Sequence, residues 1–150
     1  MTKTRTERDT MGEMQVPANA LYGASTARAI ENFPVALEPV PAAVIHAFGY
    51  LKAACARANL ELGKLDEKLA RSIISACEEV AAGKHDPHFP VDIYQTGSGT
   101  STNMNANEVI ANLANDRLGH GVGAKGHRPP RAQTSAVCFL RDHLPIYHQA

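Results

Sequence analysis

Ala42-Ala43-Val44-Ile45-His46-Ala47-Phe48-Gly49-Tyr50-Leu51-Lys52-Ala53-Ala54-Cys55-Ala56-Arg57-Ala58-Asn59-Leu60-Glu61-Leu62-Gly63 is the stretch whose reading decides the fold class. Val44, Phe48, Leu51, Cys55, Ala58 and Leu62 recur at alternating spacings of four and three, the period of one apolar stripe on a helix. The stretch therefore predicts a helix over 42–62. Pro41 suits its first turn, where a missing N–H costs nothing, and Gly63 suits its stop. Gly49 interrupts it at a propensity cost of about 1 kcal/mol, a cost that close contact with a neighbouring helix would offset.

Moving outward, Asp66 is a candidate N-cap for a second helix over 67–82. Leu69, Ile73, Ile74, Cys77 and Val80 form its face and Gly83 ends it. Residues 84–90 read as loop, and 91–94 as a short extended piece that need not belong to a sheet. A loop over 95–101 leads to a third helix over 103–118, capped by Ser101 or Thr102. Its face begins at Met104 and continues through Val109, Ile110, Leu113, Ala114 and Leu118 to a stop at Gly119. Upstream, a proline cluster (Pro34, Pro39, Pro41) separates the first long helix from a lead-in over 11–33, with one short helix near 26–31. Residues 1–9 are polar and read as mobile. Residues Gly119 to Gly126 carry four glycines in eight, followed by His127-Arg128-Pro129-Pro130-Arg131, a stretch that no regular helix accommodates. The fold class is mostly α: three helices packed as a small helical domain, with nothing calling for a large β-sheet.

The chain has 150 residues, 15 Lys and Arg against 15 Asp and Glu, and no net charge. No global field therefore draws in nucleic acid or an anionic membrane surface. Three cysteines without a CxxC pair make a poor disulfide framework. No run of eighteen apolar residues could span a membrane, and the charged N-terminus lacks a signal-peptide core. The expectation is a cytoplasmic protein with reduced thiols.

The chemistry is concentrated in Gln95-Thr96-Gly97-Ser98-Gly99-Thr100-Ser101-Thr102-Asn103-Met104-Asn105-Ala106-Asn107-Glu108. Two glycines loosen the backbone beside a run of hydroxyl side chains, and a helix begins immediately after. Its free N–H groups and positive dipole end can hold a carboxylate or phosphate, and Thr96, Ser98, Thr100, Ser101 and Asn103 can add directed hydrogen bonds. An ordinary capped helix after a loop would use the same residue types. There is no Gly-Lys-Ser/Thr ending for a Walker loop and no βαβ unit for a dinucleotide fold. Asn103 and Asn107 share one helical face, Asn105 and Asn112 another; either pair can face a ligand, a partner helix or water. Glu108 is either the anchor of a polar network or a solvated charge. His85 and His88 flank Asp86-Pro87, and a metal there would need a third ligand, so no metal or other cofactor is expected.

The segment Gln95–Thr100 resembles the class II form of the fumarase and aspartase superfamily, and 101–112 fits both of its branches. Glu7-Arg8-Asp9-Thr10-Met11-Gly12, Val16-Pro17, Tyr22-Gly23-Ala24, Arg28-Ala29-Ile30-Glu31-Asn32-Phe33-Pro34 and Phe89-Pro90-Val91-Asp92 extend the resemblance over about 6–119. It implies the mostly helical N-terminal domain of that superfamily, which in complete members precedes a central helical bundle. It also implies a homotetramer whose active sites each draw on three subunits, and metal-free, reversible hydration of fumarate to (S)-malate in the tricarboxylic acid cycle. By the same resemblance Thr96, Ser98, Thr100 and Asn103 are substrate contacts, and Thr26 and Arg28 additional ones; Ser25 stands where family members often have Gln. The proton-transferring His and the mobile-loop Ser of the family belong to the central bundle, so no catalytic residue is assigned.

Past Gly119 the resemblance implies a His-Pro-Asn-Asp segment, which His127-Arg128-Pro129-Pro130 does not match. The expected division is a lyase N-terminal domain over 1–119 and an atypical, weakly packed tail over 120–150, read as a frameshift followed by early termination. Such a chain is expected to be inactive on its own. Two other functions use the same residues. An aspartate ammonia-lyase would carry Gly-Gly-Ala-Gly-Thr character where Thr96-Gly97-Ser98-Gly99-Thr100 stands. A non-catalytic helical interaction module would need only the helices.

Overall fold

The computed structural model describes residues 3–95 and 97–122. Two strands, β1 (Thr4–Asp9) and β2 (Gly12–Pro17), are followed by four helices: α1 (Ala24–Asn32), α2 (Ala42–Glu61), α3 (Glu67–Ala81) and α4 (Thr100–Arg117). A single 3-10 turn, Asp86–His88, lies between α3 and α4. The three long helices fall where periodicity places them, and all three glycine stops are real. Gly63, Gly83 and Gly119 each follow the last turn with φ of +65°, +74° and +83°, the left-handed conformation that glycine adopts without strain. Asp66 caps α3 by accepting from the Leu69 amide at 3.0 Å.

The N-terminal residues depart from expectation. Residues 4–9 form an antiparallel hairpin with 12–17, in a register running from Thr4 opposite Pro17 to Asp9 opposite Gly12. Polar side chains hold this ribbon, which is why hydropathy alone read it as mobile. Arg5 donates to the carbonyls of Pro17, Ala18, Ala20 and Tyr22 at 2.7–3.1 Å. Asp9 accepts two bonds from the Arg28 guanidinium, both at 2.9 Å, so the hairpin is tied to α1. The Arg28 contact holds the Asp9 carboxyl below its ordinary range. The extended piece near 91–94 makes only an isolated bridge, Pro39 opposite Asp92.

α2 also buries a different face from the one its large residues mark out. Val44, Leu51 and Leu62 of the apolar stripe are 43%, 49% and 67% exposed. The buried positions are Ile45, Gly49, Lys52, Ala53 and Ala56. The cause is close packing against α3: a Cβ on Gly49 would lie 2.5 Å from the Ala81 amide nitrogen and 2.8 Å from the Cys77 carbonyl oxygen. Small residues let two backbones approach, and they register weakly in a pattern weighted toward Leu, Val and Phe.

The core is formed by Ile45, Ala53 and Ala56 of α2, Ile73, Cys77 and Val80 of α3, and Ala106, Val109 and Ile110 of α4, with Phe89 from the connecting segment. Burial pushes the Cys77 thiol up to about 12, so it behaves as a small inert hydrophobe. α3 and α4 are further joined by Ser72, which donates to the Ala114 carbonyl at 3.0 Å, and by Arg117 on Glu79 at 2.6 Å. The expected boundary at 119 sits near the end of the described residues. The expected tail over 120–150 lies almost wholly outside them.

Candidate functional site

α4 begins three residues earlier than its apolar period suggests, at Thr100, and neither Ser101 nor Thr102 is its cap. Gly99 occupies the N-cap position with φ +74° and has no side chain to offer. The capping group comes instead from Gln95, which is 8% exposed. Its Oε1 accepts from the Thr102 amide at 3.0 Å, while its Nε2 donates to the Thr102 hydroxyl at 2.7 Å. Gln95 thus performs from upstream what a cap residue does locally. The amides of Thr100 and Ser101, in the first turn, have no carbonyl within the helix to bond. Ser98 and Thr100 stand beside them, both exposed, with their hydroxyl oxygens 2.8 Å apart.

The other expected contacts are distributed differently. Asn103 lies in the second turn of α4, and its Oδ1 accepts from Lys52 Nζ of α2 at 2.6 Å. Thr26 is fully buried, and its hydroxyl donates to Glu108 at 2.6 Å. Arg28 grips Asp9, as described above. The structure therefore groups Ser98, Thr100 and Asn103 at the start of α4 and engages Thr26 and Arg28 inside the chain. Thr96 lies outside the described residues.

Glu108 is the anchor of a polar network. One oxygen accepts from the Ser25 amide at 2.9 Å; the other accepts from the amides of Gly23 and Thr26 at 3.0 and 3.1 Å, besides the Thr26 hydroxyl. This is a carboxylate held on the N-terminus of α1 by a residue more than eighty positions downstream. Of the paired asparagines, Asn105 donates to the His88 carbonyl at 3.0 Å and Asn112 to the Leu21 carbonyl at 2.7 Å. That face turns inward and fastens α4 to the segments preceding α1 and following α3.

Two features of the surrounding structure were not evident in the sequence. Gln95 and Lys52 carry polar groups to the start of α4, yet Gln95 reads as part of a loop and Lys52 as one charge among helical apolar residues. Asp92, 7% exposed, accepts from the amides of Val35, Ala36, Leu37 and Tyr94 at 2.6–3.1 Å. Burial alone would push its pKa up, but these four donors outweigh it and hold the carboxyl below its ordinary range. Beside Asp92, an apolar cleft of about 310 Å³ is lined by Ile30, Phe33, Leu37 and Pro39, and none of the candidate substrate contacts lines it. No group of three or more His, Cys, Asp or Glu among the described residues could hold a metal. No helix among them is long and apolar enough to cross a membrane.

The comparisons with known proteins agree with this architecture. The family model described as Lyase matches residues 12–132. The chain is 55% identical over 127 residues to a class II fumarate hydratase of Thermus thermophilus, covering 83% of this chain and 27% of that protein. It is 57% identical over 159 aligned positions to a class II fumarate hydratase of Corynebacterium glutamicum, covering 97% and 34%. Among solved structures, class II fumarase from Schistosoma mansoni superposes with a TM-score of 0.79 at 38% identity, over 82% of this chain and 26% of that one. A fumarate lyase:delta crystallin from Brucella melitensis in its native form gives 0.79 at 39% identity, over 89% and 31%. The chain spans about a third or less of the length of these proteins. The lyase match covers β2, all four helices and the loop before α4: the chain belongs to the lyase family, with the N-terminal domain fold of the fumarase/aspartase superfamily and a sequence similar to class II fumarate hydratases.

Proposed function

We propose that this chain carries the dicarboxylate-binding loop of a class II fumarate hydratase, which reversibly adds water to fumarate to give (S)-malate. The observation that carries the reading is the start of α4. Ser98 and Thr100 hydroxyls lie 2.8 Å apart beside first-turn amides that the helix itself cannot pair. Asn103 stands one turn further on, and Thr96 is the fourth expected contact. Thr26 and Arg28, engaged by Glu108 and Asp9, shape the frame that presents the loop.

These donors suit the chemistry. Removing a C3 proton from malate places negative charge on the adjacent carboxylate, which becomes an aci-carboxylate. Amides and hydroxyls fixed around that carboxylate gain strength as its charge grows, and this lowers the barrier rather than only the ground state. The groups that move the proton and the water come from the family's remaining length, in a homotetramer whose subunits share sites. The setting proposed is cytoplasmic, in the tricarboxylic acid cycle.

The test compares fumarate consumption, followed by its ultraviolet absorbance, for the 150-residue chain and for the chain joined to the remaining two-thirds of a class II fumarate hydratase. The chain alone is expected to be inactive and the joined protein active. Ser98→Ala and Thr100→Ala in the joined protein should each lower kcat/KM by about 10²-fold, the scale of losing one oxyanion donor. Robust turnover by the chain alone would refute the need for the remaining length. Unchanged kinetics in both variants would refute the substrate role of the two hydroxyls. Ammonia release from aspartate would favour the ammonia-lyase alternative.

A further inference from the structure

Lys52 sits in the middle of α2 on its buried face and is 5% exposed. An ammonium group removed from water costs several kcal/mol before its partners repay it. A methionine of similar length would fill the same space without that cost. The position is therefore expensive to occupy with a charge, and the charge lies directly under the proposed substrate loop, with Nζ 2.6 Å from Asn103 Oδ1.

That contact has a directional consequence. A lysine ammonium has three donors and no acceptor. The carboxamide of Asn103 must therefore present its oxygen to Lys52, which turns its Nδ2 and both amide hydrogens away. No described residue accepts from that Nδ2. The ammonium also draws electron density toward Oδ1 and makes the opposite N–H bonds better donors.

Resting on the dicarboxylate reading above, we infer that Lys52 is a positioning residue for the substrate loop: it locks the Asn103 carboxamide oxygen-inward, so that polarised Nδ2 hydrogens are offered to a substrate carboxylate at the start of α4. Lys52 itself stays buried and acts through Asn103. It also adds a positive charge beneath a helix end that already favours anions.

The test is NMR of ¹⁵N-labelled side-chain amides, first in the free 150-residue chain and then in the joined protein, whose subunits complete the site, titrated with fumarate. In free Lys52→Met the Asn103 Nδ2 pair should shift, while the carboxamides of Asn105 and Asn112, bonded elsewhere, should hold their positions. Unchanged Asn103 signals would overturn the inference without any ligand. In the joined wild-type protein fumarate should shift the backbone amides of Ser98 and Thr100 together with the Asn103 Nδ2 pair. Lys52→Met should weaken that binding about tenfold, about 1.4 kcal/mol, and Lys52→Arg should restore most of it. Asn103→Asp separates positioning from simple structural pairing, because the new carboxylate would satisfy Lys52 better than the amide does. Thermal stability kept or raised, with fumarate binding lost, supports positioning; fumarate binding unchanged in Asn103→Asp overturns it. Fumarate shifts at Ser98 and Thr100 without one at Asn103 would overturn this inference and leave the dicarboxylate reading standing. No shift at any of the three would overturn the dicarboxylate reading, and this inference with it.

Discussion

The N-termini of α1 and α4 are built alike and used differently. Each has glycine at the N-cap, Gly23 and Gly99, and neither makes a side-chain cap bond there. Each has hydroxyl side chains in or beside its first turn. At α1 the anion is part of the protein: the Glu108 carboxylate takes three amides and the Thr26 hydroxyl. At α4 the neutral Gln95 amide, on Thr102, takes the place that a charged group holds at α1. Ser98 and Thr100 remain at the surface. The molecule thus contains its own example of how a carboxylate sits on a glycine-started helix with a threonine hydroxyl. The permanent carboxylate serves the fold; on the function proposed above, the similar geometry at α4 serves a ligand that comes and goes.

The sharpest way to break this comparison is at Glu108. Glu108→Ala strips the acceptor from four donors at once and should cost about 3 kcal/mol or more, since stranded polar groups lose their full desolvation energy. Urea unfolding checks this; a loss under 1 kcal/mol would mean that water replaces the carboxylate and the α1 site is not structural. Gly49→Ala comes next. Its methyl would meet the α3 backbone at 2.5 Å, and overpacking of this kind costs about 1–3 kcal/mol even after the gain in helix propensity. Gly49 lies one turn before Lys52 on the same face. The variant should therefore disturb the Asn103 carboxamide while leaving the Glu108 network intact, a contrast that side-chain NMR resolves.

Acid should act on the α1 side first. His88 Nδ1 accepts from the Leu21 amide at 3.3 Å, and burial, with the neighbouring His85, lowers its pKa. The neutral ring is therefore favoured in the folded state. Its contribution is complete above the unfolded value near 6.5 and is lost as pH falls through the depressed folded value, because the unfolded chain then binds the extra proton. Glu79, lowered chiefly by its hydrogen bond with His85, and Asp9 lose their contributions only in the more acidic carboxylate range. Stability measured from pH 7 to 5 should fall, and His88→Gln should flatten that slope; an unchanged slope would place the acid-sensitive group elsewhere. The smallest stability effect belongs to the α4 site. Ser98→Ala and Thr100→Ala should stay within about 0.5 kcal/mol of the parent, since exposed positions contribute little to stability. A larger loss would make those hydroxyls part of the fold and would erase the distinction between the two helix ends.

Most of the helical skeleton was legible because its signals are local. Asp66 caps α3, Gly63, Gly83 and Gly119 stop their helices, and Gly49 allows a close approach, each recognisable from residue type and spacing. The hairpin over 4–17 was not legible, because Arg5 and Arg28 hold it through backbone carbonyls and Asp9, partners that hydropathy does not weigh. The stripe of Val44, Leu51 and Leu62 was misread for the converse reason. Large apolar residues stand out in sequence, whereas the true contact is a seam of Gly49, Ala53 and Ala56 whose value is backbone proximity. At the candidate site, the motif singles out Ser98, Thr100 and Asn103 in the sequence and the structure groups them at the start of α4, whereas Gln95 as the cap of α4 was not legible, since it lies outside the helix it serves.

By itself the sequence determined the helix-forming segments, their glycine stops and the hydroxyl-rich loop before α4. All of these depend on conformational preferences and side-chain chemistry carried within a few residues. Tertiary structure alone decided which face of α2 is buried, that Glu108 closes α1 across more than eighty residues, and that Lys52 meets Asn103. Such choices depend on which backbones approach closely enough for small residues to pack and for distant polar groups to reach one another, and that distance is set only when α2, α3 and α4 come together.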